Sequence, residues 1–201
     1  MSRTDSKPSR DRGDSEERLI QAAADLLGEV GPRAMTVRGV AERAGVNHGL
    51  VHHYFGGKDG LLHAAMTRLV EEHASFAKEK SGGDPIPAPL ALTEDQRYLR
   101  AVVRSVLDDE MQLALTEIDA GVSIPRAALD HAASVRRQTK PDLETKSVVA
   151  LGMALEMGWA ALEPFLFAVV DAHTTKEQEA IRSKAREFRV SFAEKIARDG
   201  V

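Results

Sequence analysis

The chain is expected to be all-α, with an N-terminal three-helix helix-turn-helix domain and a larger C-terminal helical domain. Three observations carry this expectation. Residues 36–58, TVRGVAERAGVNHGLVHHYFGGK, read as two short helices around a tight turn. Apolar residues recur at helical spacing in the longer segments on either side. One of these segments, 142–171, holds an apolar seam whose members are 4, 3, 4, 3, 4 and 3 residues apart.

Residues 1–13 are polar, hold Pro8 and Gly13, and show no apolar period; they are expected to be a disordered tail. Helix 1 is placed from Asp14 or Ser15, because Asp14 and Glu17 have the spacing of a capping box. Leu19, Ile20, Ala23, Leu26, Leu27 and Val30 make its apolar stripe, and Gly31–Pro32 ends it.

Thr36 is a suitable N-cap for the next helix, whose Val37, Val40, Ala41 and Ala44 share one face. Gly45 can take the left-handed position that closes a helix. Asn47 is a suitable cap for the helix after it. Val51 and Phe55 are one turn apart and can pack back, which leaves His48, Gly49, Leu50, His52, His53 and Tyr54 for other faces. Two helices joined by a short glycine-containing turn form a helix-turn-helix, whose second helix fits the major groove of B-DNA. Plain helical packing uses the same pattern.

The wider stretch 18–62 resembles the N-terminal domain of the TetR family of transcriptional repressors. The resemblance lies in TVRGVAERAGV, Gly49, the Tyr54–Phe55 pair, and Lys58 followed by Leu61–Leu62. It covers about the first third of the chain; the rest matches the family in length and helical texture. On this resemblance residues 14–60 are the DNA-binding domain and 61–201 a ligand-binding and dimerisation domain. It implies contacts from Thr36, Arg38, His48, Gly49, Leu50, His52, His53, Tyr54 and Lys58. Leu50 stands where relatives often carry a small hydroxylated residue, and His52 where they usually carry Tyr. Leu50 therefore offers only apolar contact, as to a thymine methyl.

Helix 4 is expected after Gly56–Gly57, with Leu61, Leu62, Met66, Leu69 and Val70 continuing to about Lys78. Residues 81–93 hold three prolines and two glycines and read as a loop. Helix 5 is placed from Thr93 to about Leu115, with Tyr98, Leu99, Val102, Val103, Val106 and Leu107 as its stripe. A break at Gly121, a helix over 125–138 and a boundary at Pro141 follow. The seam in 142–171 runs through Val148, Gly152, Leu155, Trp159, Leu162, Leu166 and Val169, and Pro164 predicts a kink or a broken turn in that helix. The last helix, about 174–199, has Ile181, Ala185, Phe188, Phe192 and Ile196 on one face.

A helix apolar over so much of its circumference needs several neighbours, and a second subunit is the nearest source. The expected product is a two-fold homodimer through a four-helix bundle, using Val148, Gly152, Leu155, Leu162, Leu166, Ile181, Phe188 and Phe192. Two reading heads so related would bind a palindromic operator on double-stranded DNA. The resemblance further implies a small-molecule effector in the C-terminal domain. Tyr98, Met111, Trp159, Phe165 and Phe167 are candidate apolar liners, with Glu110, Glu117, Glu156 or His131 as polar handles. Glu156 and Glu163 stand out in a nearly apolar helix, because a buried carboxylate needs a partner. The alternative is a helical dimeric protein-interaction regulator with no small-molecule ligand.

Composition narrows the remaining classes. The 201 residues carry no cysteine, so disulfides and Cys-based metal sites are excluded. His48 and His52 share a face, but two imidazoles fall short of a closed zinc site, so no metal or cofactor is expected. No HExxH, GxSxG or glycine-rich phosphate loop is present, so an enzyme is not expected. No secretory signal is read at the N-terminus, and Glu156, Glu163 and Pro164 interrupt the most apolar stretch, so a cytoplasmic, membrane-free protein is expected. Residues 1–60 balance nine Lys/Arg against nine Asp/Glu, while the remaining residues carry the whole net charge of −4. Phosphate affinity must then come from local placement of Arg3, Lys7, Arg10, Arg12, Arg38 and Lys58, and should be salt-sensitive.

Overall fold

A computed structural model of the chain describes residues 8–82 and 87–198, with side chains from 13 to 82 and 87 to 191. The order is α1 (Pro8–Ala34), α2 (Val37–Ala44), α3 (Gly49–Phe55), α4 (Lys58–Ser81), a 3-10 turn (Ala91–Glu94), α5 (Gln96–Leu107), α6 (Met111–Ala114), α7 (Thr116–Asp119), α8 (Ile124–Val135), α9 (Leu143–Val169) and α10 (Thr175–Arg198). No strand occurs among the described residues.

The chain folds as two compact units, Met1–Glu72 with Arg100–Val122, and His73–Leu99 with Ser123–Val201. The division differs from the expected boundary at residue 60. Helix α4 runs on unbroken, and residues 100–122 return to the first unit. The reason is visible in the bonding: Arg104 Nε donates to the Gly28 carbonyl at 3.1 Å, and the Arg33 amide donates to Asp108 Oδ2 at 2.9 Å. Ala101, Val102, Leu113 and Ala114 are buried.

In the first unit, Leu19, Ala23, Leu27, Val40, Ala41, Val51, Leu61, Met66 and Leu69 are buried. Helix α1 starts earlier than expected, at Pro8, where a missing N–H costs nothing because the first-turn amides have no helical partner. Residues 8–13 of the expected tail are therefore helical, and residues 1–7 lie outside the described residues, as do the side chains of Arg3, Lys7, Arg10 and Arg12. The Asp14/Glu17 pair is not a cap: Asp14 pairs with Arg18, and Glu17 with Arg68 on α4. The break at Gly31–Pro32 is present, with Gly31 at φ 81° and ψ 167°.

The expected long helix over 93–115 is instead the end of the 3-10 turn, then α5 and α6. Asp109 adopts φ 63° and stops α5, so Val106 and Leu107 of the expected stripe are exposed. The buried positions of the C-terminal part of α5 are Ala101, Val102 and Ser105.

In the second unit, α9 packs with α8, α10 and the 3-10 turn. Asp142 caps α9 by accepting from the Thr145 amide at 2.8 Å, and buried Thr145 also accepts from Arg136. Helix α9 continues through Pro164 as one element, without the broken turn that was one of the two expectations there. Proline leaves the carbonyl four residues earlier without its helical donor. That carbonyl belongs to Ala160, and Gln96 Nε2 donates to it at 3.0 Å. A side chain from α5 thus replaces the bond that Pro164 removes.

Both unusual carboxylates of α9 have partners. Arg182 binds Glu163 through two nitrogens, at 2.9 and 2.8 Å, and Trp159 Nε1 donates to Glu163 at 3.0 Å. The hydrogen bonds from Arg182 hold the Glu163 carboxyl below the usual carboxylate range. Burial pushes Glu156 the other way, opposed by the amides of Leu90 and Leu92 and the charge of Arg189. By length and composition α9 would also pass for a membrane span. Its exposed side is apolar: Leu151, Leu155, Leu162, Phe165 and Val169 are 44–63% exposed.

Candidate nucleic-acid interface

The helix-turn-helix is assembled by caps and turns that leave one face of α3 uncovered. Thr36 Oγ1 accepts from the Gly39 amide at 3.1 Å and starts α2. Gly45, at φ 65°, ends it; the Gly45 amide reaches Glu42 O and the Val46 amide reaches Ala41 O. Asn47 then starts α3: its Oδ1 accepts from the Gly49 amide at 2.8 Å, and its carbonyl accepts from Leu50 N. His48, the residue adjoining the helix, makes no side-chain cap bond, so its imidazole is available to another molecule.

Val51 is fully buried and anchors α3, while Phe55 is half-buried. His48, Gly49, His52 and His53 are exposed, Leu50 and Tyr54 half-buried. The His53 and Tyr54 rings lie 5.1 Å apart. Thr36 and Arg38, at the start of α2, are exposed. Lys58 is half-buried in the first turn of α4, with Nζ 3.5 Å from the Arg33 carbonyl. The exposed face of α3 thus offers imidazoles and an uncovered glycine backbone, with arginine and lysine at its edges. Such a set can donate to phosphates and read base edges.

Several residues that shape this face escaped the sequence reading. Arg18 Nη2 donates to the carbonyls of Ala44 and Gly45. Arg43 binds Glu29 through two nitrogens, at 2.5 and 2.6 Å, tying α2 to α1. At Gly60 an added Cβ would stand 2.0 Å from the Phe55 carbonyl, so only glycine lets α4 leave α3 so closely. Arg33, exposed beside Lys58, adds a cation to the edge. Arg18 precedes a readable motif but its partner lies 26 residues away, and no local pattern announces such a bond. Gly60 lies two residues after Lys58 and directly before Leu61, within a readable motif, and is the legible one.

A family sequence model described as bacterial regulatory proteins, tetR family, matches residues 19–65. The HTH-type transcriptional repressor Rv3405c of Mycobacterium tuberculosis is 33% identical over 148 residues, covering 74% of this chain and 73% of that protein. The chain belongs to the TetR family. An HTH-type transcriptional regulator BetI from Stenotrophomonas maltophilia is 38% identical over 96 residues, 46% of this chain and 44% of its own. Among solved structures, a transcriptional regulator from Rhodococcus sp. Rha1 is 25% identical with a TM-score of 0.61, covering 89% of this chain and 95% of its own. This TetR-family protein is accordingly a DNA-binding transcriptional regulator, a soluble intracellular protein and not an enzyme.

The candidate effector residues of this TetR-family chain fall in both compact units. Met111 lies in the first compact unit and is 48% exposed; Tyr98, Glu156, Trp159 and Phe165 lie in the second. Tyr98 is buried and stacks on His73, ring centroids 3.8 Å apart and 5° from parallel, while His73 Nδ1 lies 2.8 Å from Asp95 Oδ2. Trp159 is half-buried, bonded to Glu163, and edge-on to buried Phe167 at 6.2 Å. Phe165 is exposed, as are Glu110 and His131, while Glu117 is buried. A groove of about 260 Å³ in the first unit, lined by Ile20, Ala64, Thr67, Arg68 and Glu71, contains none of them.

The expected dimer residues divide similarly. Leu155, Leu162 and Phe188 are exposed; Val148, Leu166 and Ile181 are half-buried. Gly152 is buried against Arg189, whose Nη2 would lie 2.8 Å from an added Cβ. The side chain of Phe192 lies outside those described. The exposed stripe of α9 therefore runs 151, 155, 162, 165, 169, with half-buried Gly158 in line between 155 and 162. The expected seam is turned by about one residue because Gly152, Ala160 and Phe167 face the unit's own core.

Proposed function

We propose that the protein is a repressor that binds a palindromic operator as a homodimer and leaves it when a small molecule binds. The observation that carries this reading is the pairing of two uncovered faces: a polar recognition face on α3 and an apolar heptad-spaced stripe on α9. The stripe supplies knobs at coiled-coil spacing, with Gly158 at its centre for close approach. A two-fold partner seated there would present two α3 helices to successive major grooves. A repressor name among the relatives supports the sign of regulation.

Contacts are assigned to His48, Gly49, Leu50, His52, His53 and Tyr54 on α3, with Thr36, Arg38 and Lys58 holding the backbone. The effector site belongs to the second unit, with Tyr98, Glu156 and Trp159 as its candidates. Phe165 is reassigned to the dimer stripe. An effector that favours one arrangement of the heads over another would release DNA by that difference in affinity. Helix α4 carries the chain from Lys58 to the effector-binding unit.

Selection of binding sites from random duplex DNA tests the first half; recovery of a palindrome is expected, and an unenriched pool would overturn it. Trp159 is the sole tryptophan, so its fluorescence reports effector candidates directly. A regulator without a ligand is the second reading. It is favoured by the engagement of Trp159 with Glu163 and of Tyr98 with His73, which leaves these groups satisfied by their own chain.

A further inference from the structure

We infer that Arg18 is a positioning residue for DNA recognition, acting through the turn between α2 and α3; this rests on the DNA-binding reading above. The last carbonyls of a helix have no partner within it, and a cation placed there is favoured by the helix dipole. Arg18, from α1, donates through Nη2 to the Ala44 carbonyl and, at 3.2 Å, to that of Gly45. Its other nitrogen lies 3.8 Å from Asp14, one turn back on α1. The guanidinium occupies the space that a side chain on residue 45 would need, 2.7 Å from an added Cβ.

The turn is thereby fixed at both ends. Arg18 holds its entry at Gly45, and Asn47 holds its exit by capping α3. Only Val46 stands between these two points, so the entry geometry dictates where α3 begins and how His48 and Gly49 are presented. The neighbouring Glu17 binds Arg68 on α4, the helix that carries Lys58. Adjacent residues of α1 thus register two elements that meet DNA. Pinning a recognition element costs little on the protein side and sharpens discrimination, because a loosened helix loses aligned base contacts before it loses charge attraction.

The guanidinium is partly exposed, so a direct phosphate contact is the competing role, and salt dependence separates the two. Each phosphate neutralised adds about 0.9 to the slope of log affinity against log salt. The measurement is anisotropy of the full-length protein with a selected operator duplex and a scrambled duplex, over about 50–200 mM salt. For R18Q we expect operator affinity to fall about tenfold, the scale of a charge-assisted hydrogen bond, with scrambled-duplex affinity within about twofold and an unchanged slope. R18K should be intermediate, since lysine keeps the charge without the fork. A slope reduced by about one would make Arg18 a phosphate ligand and overturn the inference. Equal losses on both duplexes, or no loss, would overturn it as well. If R18Q is unfolded by circular dichroism, R18K decides: a reduced operator preference supports the inference and a wild-type preference ends it. Absence of any preference in the wild type would instead remove the DNA-binding reading, and this inference with it.

Discussion

Helix α3 exposes His48, Gly49, His52 and His53, while α9 exposes Leu151, Leu155, Leu162, Phe165 and Val169. The short helix has seven residues and is held by one fully buried side chain, Val51, with caps at both ends of the turn before it. The long helix has 27 residues and is held by Arg182–Glu163, Gln96–Ala160 and its own buried Gly152, Ala160 and Phe167. An uncovered polar face keeps its water until a charged polymer displaces it. An uncovered apolar face of this size costs free energy until another apolar surface covers it. The two faces therefore ask for different partners, a nucleic acid and, on the reading proposed above, a second copy of the chain.

The largest effect should come from charging the apolar face. Replacing Leu155 and Leu162 with Glu together should give monomers in sedimentation velocity and lower operator affinity by about 100-fold or more, the scale of lost bivalency. A stable dimer of that variant would detach the stripe from assembly. Next comes the proline repair. Gln96→Leu should cost about 1–3 kcal/mol by leaving the Ala160 carbonyl unsatisfied. In a Pro164→Ala background the same change should cost clearly less, because residue 164 then supplies an amide; denaturant melts of the four proteins form the cycle, and equal costs would refute the repair.

The two carboxylates of α9 should respond in opposite ways to pH. The Glu163 carboxyl is held low by Arg182, so its stabilisation is present above the unfolded value and fades as pH falls through the folded one. Glu163→Gln should lower the melting temperature at neutral pH and flatten its acid dependence. Glu156 is pushed up by burial, so its share is greatest in acid and declines as pH rises through the folded value. Glu156→Gln should leave the neutral-pH melting temperature unchanged or higher; a clear drop would mean that its bonds to Leu90 and Leu92 outweigh desolvation.

Legibility followed the range of the interactions. Thr36, Gly45 and Asn47 act on neighbours within three residues, and their roles could be read from spacing alone. The break at Gly31–Pro32 and the caps of α2 and α3 belong to the same class. Arg18, Arg104 and Gln96 act across 26, 76 and 64 residues, and no local period marks them. The seam of α9 was visible as a repeat, but which stripe faces outward was not. Leu166 and Leu162 look equivalent in sequence, and Leu162 is the more exposed because the buried side of α9 is the one that carries Ala160 and Phe167.

By itself the sequence determined an all-α chain, its helix-turn-helix, and the family to which it belongs, because periodicity, caps and glycine turns are encoded in neighbouring residues. Only the tertiary structure decided that residues 100–122 join the first unit, that Pro164 leaves α9 unbroken, and that Glu163 and Glu156 differ in charge preference. Each of these depends on a donor or a burying surface brought from far along the chain. Such a meeting is fixed by packing as a whole, and no short window of sequence contains it.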